Sequence, residues 1–130
     1  MKILFVTSEC APFSKSGGLA DVAFSLPPAL ARTGDEIAII APLYQCTRES
    51  HGDTLTHVLT TRVSLGARLL ECGLYRGELN GVTIWFIENE HFFHRPRLYG
   101  YGDDSLRFAF FSRAVIDLLP KLDFMPDILH

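Results

Sequence analysis

Lys2–Ser8 reads KILFVTS, Glu9–Gly18 reads ECAPFSKSGG and Glu36–Ala41 reads EIAIIA, and these three stretches decide the fold. The first and third are near-continuous apolar runs of strand length, the pattern of parallel strands covered on both faces. Between them, after a loop containing proline and glycine, Leu19, Val22, Ala23, Leu26 and Leu30 recur at helical spacing and predict one buried stripe. Pro27 and Pro28 interrupt it. A proline inside a helix removes a donor and clashes with the preceding turn, at about 3 kcal/mol, so a kink or two short helices are expected. Gly34 stands where a helix C-cap is wanted, and Pro42 closes the second strand. Strand, loop, helix and strand make a β-α-β crossover, right-handed by the general rule. The expected class is α/β, with a mainly parallel sheet flanked by helices.

Outward from this unit, Tyr44–Thr56 is polar and reads as loop. Leu69–Glu78 and Val82–Glu88 flank Asn80-Gly81, a two-residue hairpin signal, and Val82–Ile87 (VTIWFI) is apolar enough for the main sheet. Asn89–Gly102 reads as a loop rich in glycine, proline and aromatic residues. Asp103, Asp104 or Ser105 can cap a helix that runs to Leu119 and is stopped by Pro120. That helix is apolar on most sides, from Leu106 and Phe108 to Leu118 and Leu119, and is expected to be deeply buried. Pro126–His130 (PDILH) has the pattern of a further buried strand. A chain seldom stops inside a core strand, so the expectation is of a fragment whose open sheet edge promotes self-association.

Twelve basic and fifteen acidic residues give a net charge of −3, with no basic stripe, which argues against a nucleic-acid partner. The first apolar run meets Glu9 too soon for a signal peptide or a membrane span. Cys10, Cys46 and Cys72 are odd in number and widely spaced, as expected of reduced thiols in a cytoplasmic protein. His91 and His94 have no nearby cysteine pair or third histidine to complete a metal site.

The loop Glu9–Gly18 leaves the carboxyl end of a strand and enters a helix, which in open α/β sheets is the preferred place for a ligand. Gly17 and Gly18 allow close backbone approach at a positive helix end, and Lys15 adds a mobile cation. The spacing fits neither a Walker A loop nor G-x-G-x-x-G, so it indicates an anionic or polar ligand, or a plain turn with a solvated lysine. Glu9 and Asp21 flank the same loop; each could bind sugar hydroxyls, while Asp21 could equally complement the helix dipole. Asp103 and Asp104 offer the same choice between capping and ligand binding.

Five stretches occur together and in order: KILFVTSECAPFSKSGGLADV (Lys2–Val22), ALARTGDEIAIIAP (Ala29–Pro42), FFHRPRLYG (Phe92–Gly100), DDSLRFAFFSRA (Asp103–Ala114) and PDILH. Together they resemble the N-terminal domain of bacterial glycogen synthases and plastid starch synthases. The resemblance spans essentially the whole chain and is weakest between Tyr44 and Arg76. It implies that residues 1–130 are the Rossmann-like, acceptor-side part of a two-domain GT-B glycosyltransferase. Such enzymes transfer glucose from ADP-glucose to the non-reducing end of an α-1,4-glucan with retention, using no metal or other cofactor. By the same resemblance Lys15, Gly17 and Gly18 bind the sugar nucleotide, and Glu9 and Asp21 face the sugar or acceptor. Tyr99 packs around the glucose, Asp103 matches a site aspartate, and His130 leads a His-Asp-Trp stretch. Asp21 and Asp103 are thereby the catalytic candidates. Asp104 stands where the family usually has asparagine, which adds a negative charge. The nucleotide-binding second domain lies outside these residues, so the chain by itself is expected to be inactive. The alternatives are a non-catalytic sugar- or nucleotide-binding module and a GT-B transferase with another donor.

Overall fold

The computed structural model describes all residues from Met1 to His130. Strand β1 (Lys2–Val6) leads into α1 (Gly18–Arg32) and β2 (Glu36–Pro42); α2 (Gln45–His51) and a short 3-10 turn follow. An antiparallel wing comes next, β3 (Thr56–Leu65), β4 (Arg68–Leu79) and β5 (Val82–Glu88), then α3 (Glu90–Phe93), α4 (Asp104–Leu118) and β6 (Ile128–Leu129). All six strands form one sheet in the order β3-β4-β5-β2-β1-β6. Pairings β1–β2, β2–β5 and β1–β6 are parallel, whereas β3–β4 and β4–β5 are antiparallel. The sheet is therefore mixed, with a four-stranded parallel part and a hairpin wing.

Alternation along the central strands explains their unbroken apolar sequences. Leu4, Ala38, Ile40, Trp85 and Ile87 belong to a core shared with Phe110, Phe111 and Leu118 of α4. Their neighbours Ile3, Phe5, Ile37, Ile39 and Phe86 belong to the other core, with Ala23 of α1. Successive side chains of a strand point to opposite faces, so a strand with helices on both faces is apolar at every position.

The helices depart from expectation in four places. The smallest is α3, a single turn within the expected loop Asn89–Gly102, capped by the Asn89 side chain, which accepts the Phe92 N–H at 3.0 Å. Helix α1 runs as one element through Pro27 and Pro28, and both rings are buried, in line with Ala20 and Ala23. Their burial on the sheet-facing side offsets the two missing ladder donors. The buried stripe is consequently Ala20, Ala23, Pro27 and Pro28, while Leu19 and Val22 are about half exposed. Helix α4 buries one stripe only, through Arg107, Phe110, Phe111, Ala114, Val115 and Leu118; Ile116 is 51% exposed. A helix lying on one face of a sheet covers one side of itself. The polar stretch after Tyr44 forms α2 where a loop is expected. Its single buried residue, Thr47, donates its hydroxyl to the Phe13 carbonyl at 2.9 Å, a tertiary bond that holds a helix too short to persist alone.

Gly34 adopts φ +102° just beyond α1, and its N–H bonds the Ala31 carbonyl at 3.2 Å. Strand β6 pairs with β1 through Ile128 and Leu129, but both side chains are exposed, so this edge strand is not a core strand. Asn80 (φ 50°) and Gly81 (φ 82°) make the hairpin turn. Replacing Gly81 by Ala is expected to destabilise the fold by about 1–2 kcal/mol, because an L side chain is strained in the left-handed region. A lower urea midpoint at unchanged slope would register this.

The topology places the site. The chain passes from β1 to β2 on one side of β1 and returns to β6 on the other, with α1 and α4 packing on opposite faces. Such a reversal opens a crevice at the carboxyl ends of the strands. The loop Glu9–Gly17 begins there.

Candidate functional site

Glu9 organises this crevice. It follows β1 closely and is 2% exposed, yet all four of its acceptor directions are filled. Oε1 accepts the backbone N–H of Gly17 at 3.1 Å and of Ala20 at 3.2 Å. Oε2 accepts the hydroxyls of Ser16 at 2.7 Å and Tyr99 at 2.8 Å. Burial alone would raise the carboxyl pKa, but these four hydrogen bonds to the charged form outweigh it and hold Glu9 below its ordinary value.

Two consequences follow for the helix end. Gly17 is the N-cap of α1 and offers no side-chain cap, so the carboxylate of Glu9 serves as one from a distance. The Gly17 N–H, expected to face a ligand, is bonded to Glu9. The N–H groups of Gly18 and Leu19 have no partner in the chain and remain as donors at the open end of the helix.

The glycines themselves carry information. Gly17 has φ −164°, an extended conformation open to any residue, and a Cβ at Gly17 or Gly18 would meet no atom within 4 Å. Neither backbone strain nor packing demands glycine here. What a side chain would occupy is the open space in front of the α1 N-terminus.

Lys15 reaches across the loop to Asp21, with Nζ at 2.7 and 2.9 Å from the two carboxylate oxygens, and both side chains are exposed. Asp21 lies in the first turn of α1, so it complements the helix dipole as well as the lysine.

Tyr99 connects a second loop to this one. A carboxylate only accepts, so the phenol proton goes to Glu9, and Ser8 donates its hydroxyl to the Tyr99 oxygen at 2.7 Å. Burial pushes the Tyr99 phenol up to about 12, with the Glu9 charge adding to the shift. Tyr44, buried at the end of β2, donates its hydroxyl to the Ser8 carbonyl at 2.7 Å and fixes the start of the loop. Burial raises its phenol as well.

Two sequence-derived candidates stand apart from this cluster. Asp103 is held by the fork of Arg95, at 2.7 and 2.8 Å, which keeps its carboxyl below the ordinary range. His130 stacks on Phe5 with ring centroids 5.0 Å apart, and its carbonyl accepts the Val6 N–H at the end of β1. Asp104 accepts the N–H groups of Gly100 and Tyr101 and pairs with Arg107. Ser8, Tyr44, Arg95 and Arg107 are members of the arrangement that the sequence reading passed over. The available signal was Arg107, a lone charge in the apolar run SLRFAFF.

Comparison with known proteins places the chain in a family. Residues 2–130 match the family model described as the starch synthase catalytic domain. Glycogen synthases of Streptococcus pneumoniae strains CGSP14 and G54 are each 48% identical to the chain over all 130 residues. The chain spans 27% of the length of these relatives. Among solved structures, the catalytic domain of starch synthase IV from Arabidopsis thaliana, bound to ADP and acarbose, superposes with a TM-score of 0.88 at 35% identity. That match covers 98% of this chain and 27% of the other.

Proposed function

The chain belongs to the starch synthase catalytic domain family, and from that premise we propose that it forms the acceptor-side half of a retaining glucosyltransferase. Its mixed six-stranded sheet is the N-terminal Rossmann-like half of the GT-B arrangement. The donor is ADP-glucose and the acceptor is the non-reducing end of an α-1,4-glucan. The free thiols of Cys10, Cys46 and Cys72 support a cytoplasmic setting.

The observation that carries this reading is the open space in front of the α1 N-terminus. Two glycines that neither strain nor packing requires leave it open, with Lys15 beside it. Oriented N–H groups and a positive helix end attract a diphosphate or the hydroxyls of a sugar. In this reading Gly18 and Leu19 donate to the donor, and Lys15 leaves Asp21 to meet its negative charge. Asp21, once released, faces the sugar. Glu9 is too enclosed to touch substrate and instead fixes the loop, while Tyr99 closes the side of the crevice. Asp103, gripped by Arg95, acts as an anchor of the Tyr99 loop rather than as a free base.

A chimera tests this. These 130 residues would replace the matching segment of a 48%-identical pneumococcal glycogen synthase, and transfer of labelled glucose to glycogen would be measured. The expected result is elongation with ADP-glucose, with Gly18→Ala raising the donor KM about tenfold, equivalent to ~1.4 kcal/mol, at unchanged thermal stability. A folded chimera that is inactive with every nucleotide sugar would overturn the proposal.

A further inference from the structure

Arg107 lies on α4 and has no exposed surface, yet it does not touch Glu9 or the Lys15 loop through any hydrogen bond. Its Nε donates to the Phe92 carbonyl at 2.7 Å. Its Nη1 donates to the Leu98 carbonyl at 3.0 Å and to Asp104 Oδ1 at 2.9 Å. The faces of Phe93, Tyr101 and Phe108 stand around the guanidinium, its carbon 4.9–5.4 Å from the ring centroids. A buried cation is costly unless it is paired and hydrogen-bonded, so a residue of this kind is retained for what it holds in place.

What it holds is both sides of Tyr99. The carbonyl of Leu98, just before Tyr99, is fixed by Arg107 itself. The N–H groups of Gly100 and Tyr101, just after it, are fixed by Asp104 at 2.7 and 3.1 Å, and Asp104 is the carboxylate paired with Arg107. One ion pair thus grips the backbone on either side of a single tyrosine. That tyrosine delivers its hydroxyl to Glu9, and Glu9 holds Ser16, Gly17 and Ala20.

We propose that the Arg107–Asp104 pair is a positioning element of the site, acting on the Lys15 loop through Tyr99 and Glu9. This deepens the proposed function, on which the site's purpose rests. It also gives Asp104 a role: its negative charge neutralises the buried guanidinium, while its two oxygens serve the turn at Gly100 and Tyr101. Lysine cannot replace Arg107, because three acceptors in different directions require the planar fork.

The test uses the 130-residue chain and needs no activity, so its failure is separable from a failure of the chimera. The Glu9 carboxyl is titrated by carbon-13 NMR. In the wild type it ionises below the ordinary 4.5. Tyr99→Phe is expected to raise that midpoint by removing one hydrogen bond to the charged form. Arg107→Met and Arg107→Lys are each expected to raise it to the same extent, although Arg107 does not contact Glu9. Combining either with Tyr99→Phe is expected to add nothing, the non-additivity of groups acting through one another. Arg107→Lys keeps the positive charge, so a wild-type midpoint in that variant would reduce Arg107 to a charge effect and overturn the proposal. Additive shifts in the double variants would overturn it too. Should an Arg107 variant fail to fold, Asp104→Ala, at a partly exposed position, releases the same turn and must reproduce the shift; an unchanged Glu9 midpoint there sinks the idea.

Discussion

Replacing Lys15 by Ala is expected to lower turnover of the chimeric enzyme with ADP-glucose by about 10²-fold, the usual loss when one charge-stabilising donor leaves a site. Stability is expected to change little. The Lys15–Asp21 pair is more than half exposed on both partners, and such pairs contribute only ~0–1 kcal/mol. That contrast makes the experiment informative, because it separates a residue kept for a ligand from one kept for the fold. Lys15→Arg is expected to rescue poorly, since the broad guanidinium fork does not substitute for a point charge beside two glycines. Wild-type kcat and KM in Lys15→Ala would reduce the loop to a structural turn. Asp21 gives a companion measurement. Because Asp21 holds Lys15, Asp21→Asn frees the lysine and is expected to tighten binding of the donor while lowering turnover.

Glu9→Ala, unlike Lys15→Ala, is expected to bring a large loss of stability. Four donors converge on this carboxylate; that of Ala20 is buried and that of Tyr99 is half-buried. Leaving buried donors unpaired costs ~1–3 kcal/mol each, so a loss of about 2–3 kcal/mol follows once the exposed Ser16 and Gly17 are solvated. Glu9→Gln retains an oxygen for the two N–H groups and is expected to lose only about 1 kcal/mol at neutral pH. The acid dependence has a definite sign. The folded-state pKa of Glu9 is depressed, so its ionised network stabilises the protein above the unfolded-state value and is lost as pH falls through the folded one. The difference in urea midpoint between wild type and Glu9→Gln is therefore expected to be widest at pH 7 and to shrink below about pH 4. An equal difference at pH 7 and pH 3 would contradict an ionised Glu9 in the folded chain. In the chimera, misplacement of the Lys15 loop by Glu9→Ala is expected to lower turnover by about 10²-fold as well.

Much of this molecule was written in local sequence, because the physics involved is local. Whether a strand is covered on one face or two is stated by its own alternation, so KILFV, EIAIIAP and VTIWFIE declared their places in the middle of a sheet. The positive-φ turn at Asn80-Gly81 and the glycine after α1 were equally plain, since few residues tolerate those conformations. The loop Glu9–Gly18 was recognisable as a place where a ligand could sit, from its glycines, its lysine and its position after a strand. What the sequence left open was the partner of each side chain. Glu9 and Tyr99 are 90 residues apart, and only the placement of β1 and β5 on either side of β2 brings their loops to one end of the sheet. The folding of each loop on itself made Glu9 a cap for the start of α1, and joined Lys15 to Asp21 and Asp103 to Arg95. Helix faces were decided in the same way. The apolar periodicity of α1 and α4 fixed that they were helices, but the sheet beneath chose Ala20, Ala23 and the two prolines over Leu19 and Val22, and buried Arg107 where a charge has no local reason to be. Backbone conformation and two-sided burial are properties of a few consecutive residues, and the sequence determined them. The pairing of charges and hydroxyls across loops is a property of the distance between elements, and only the tertiary structure decides it.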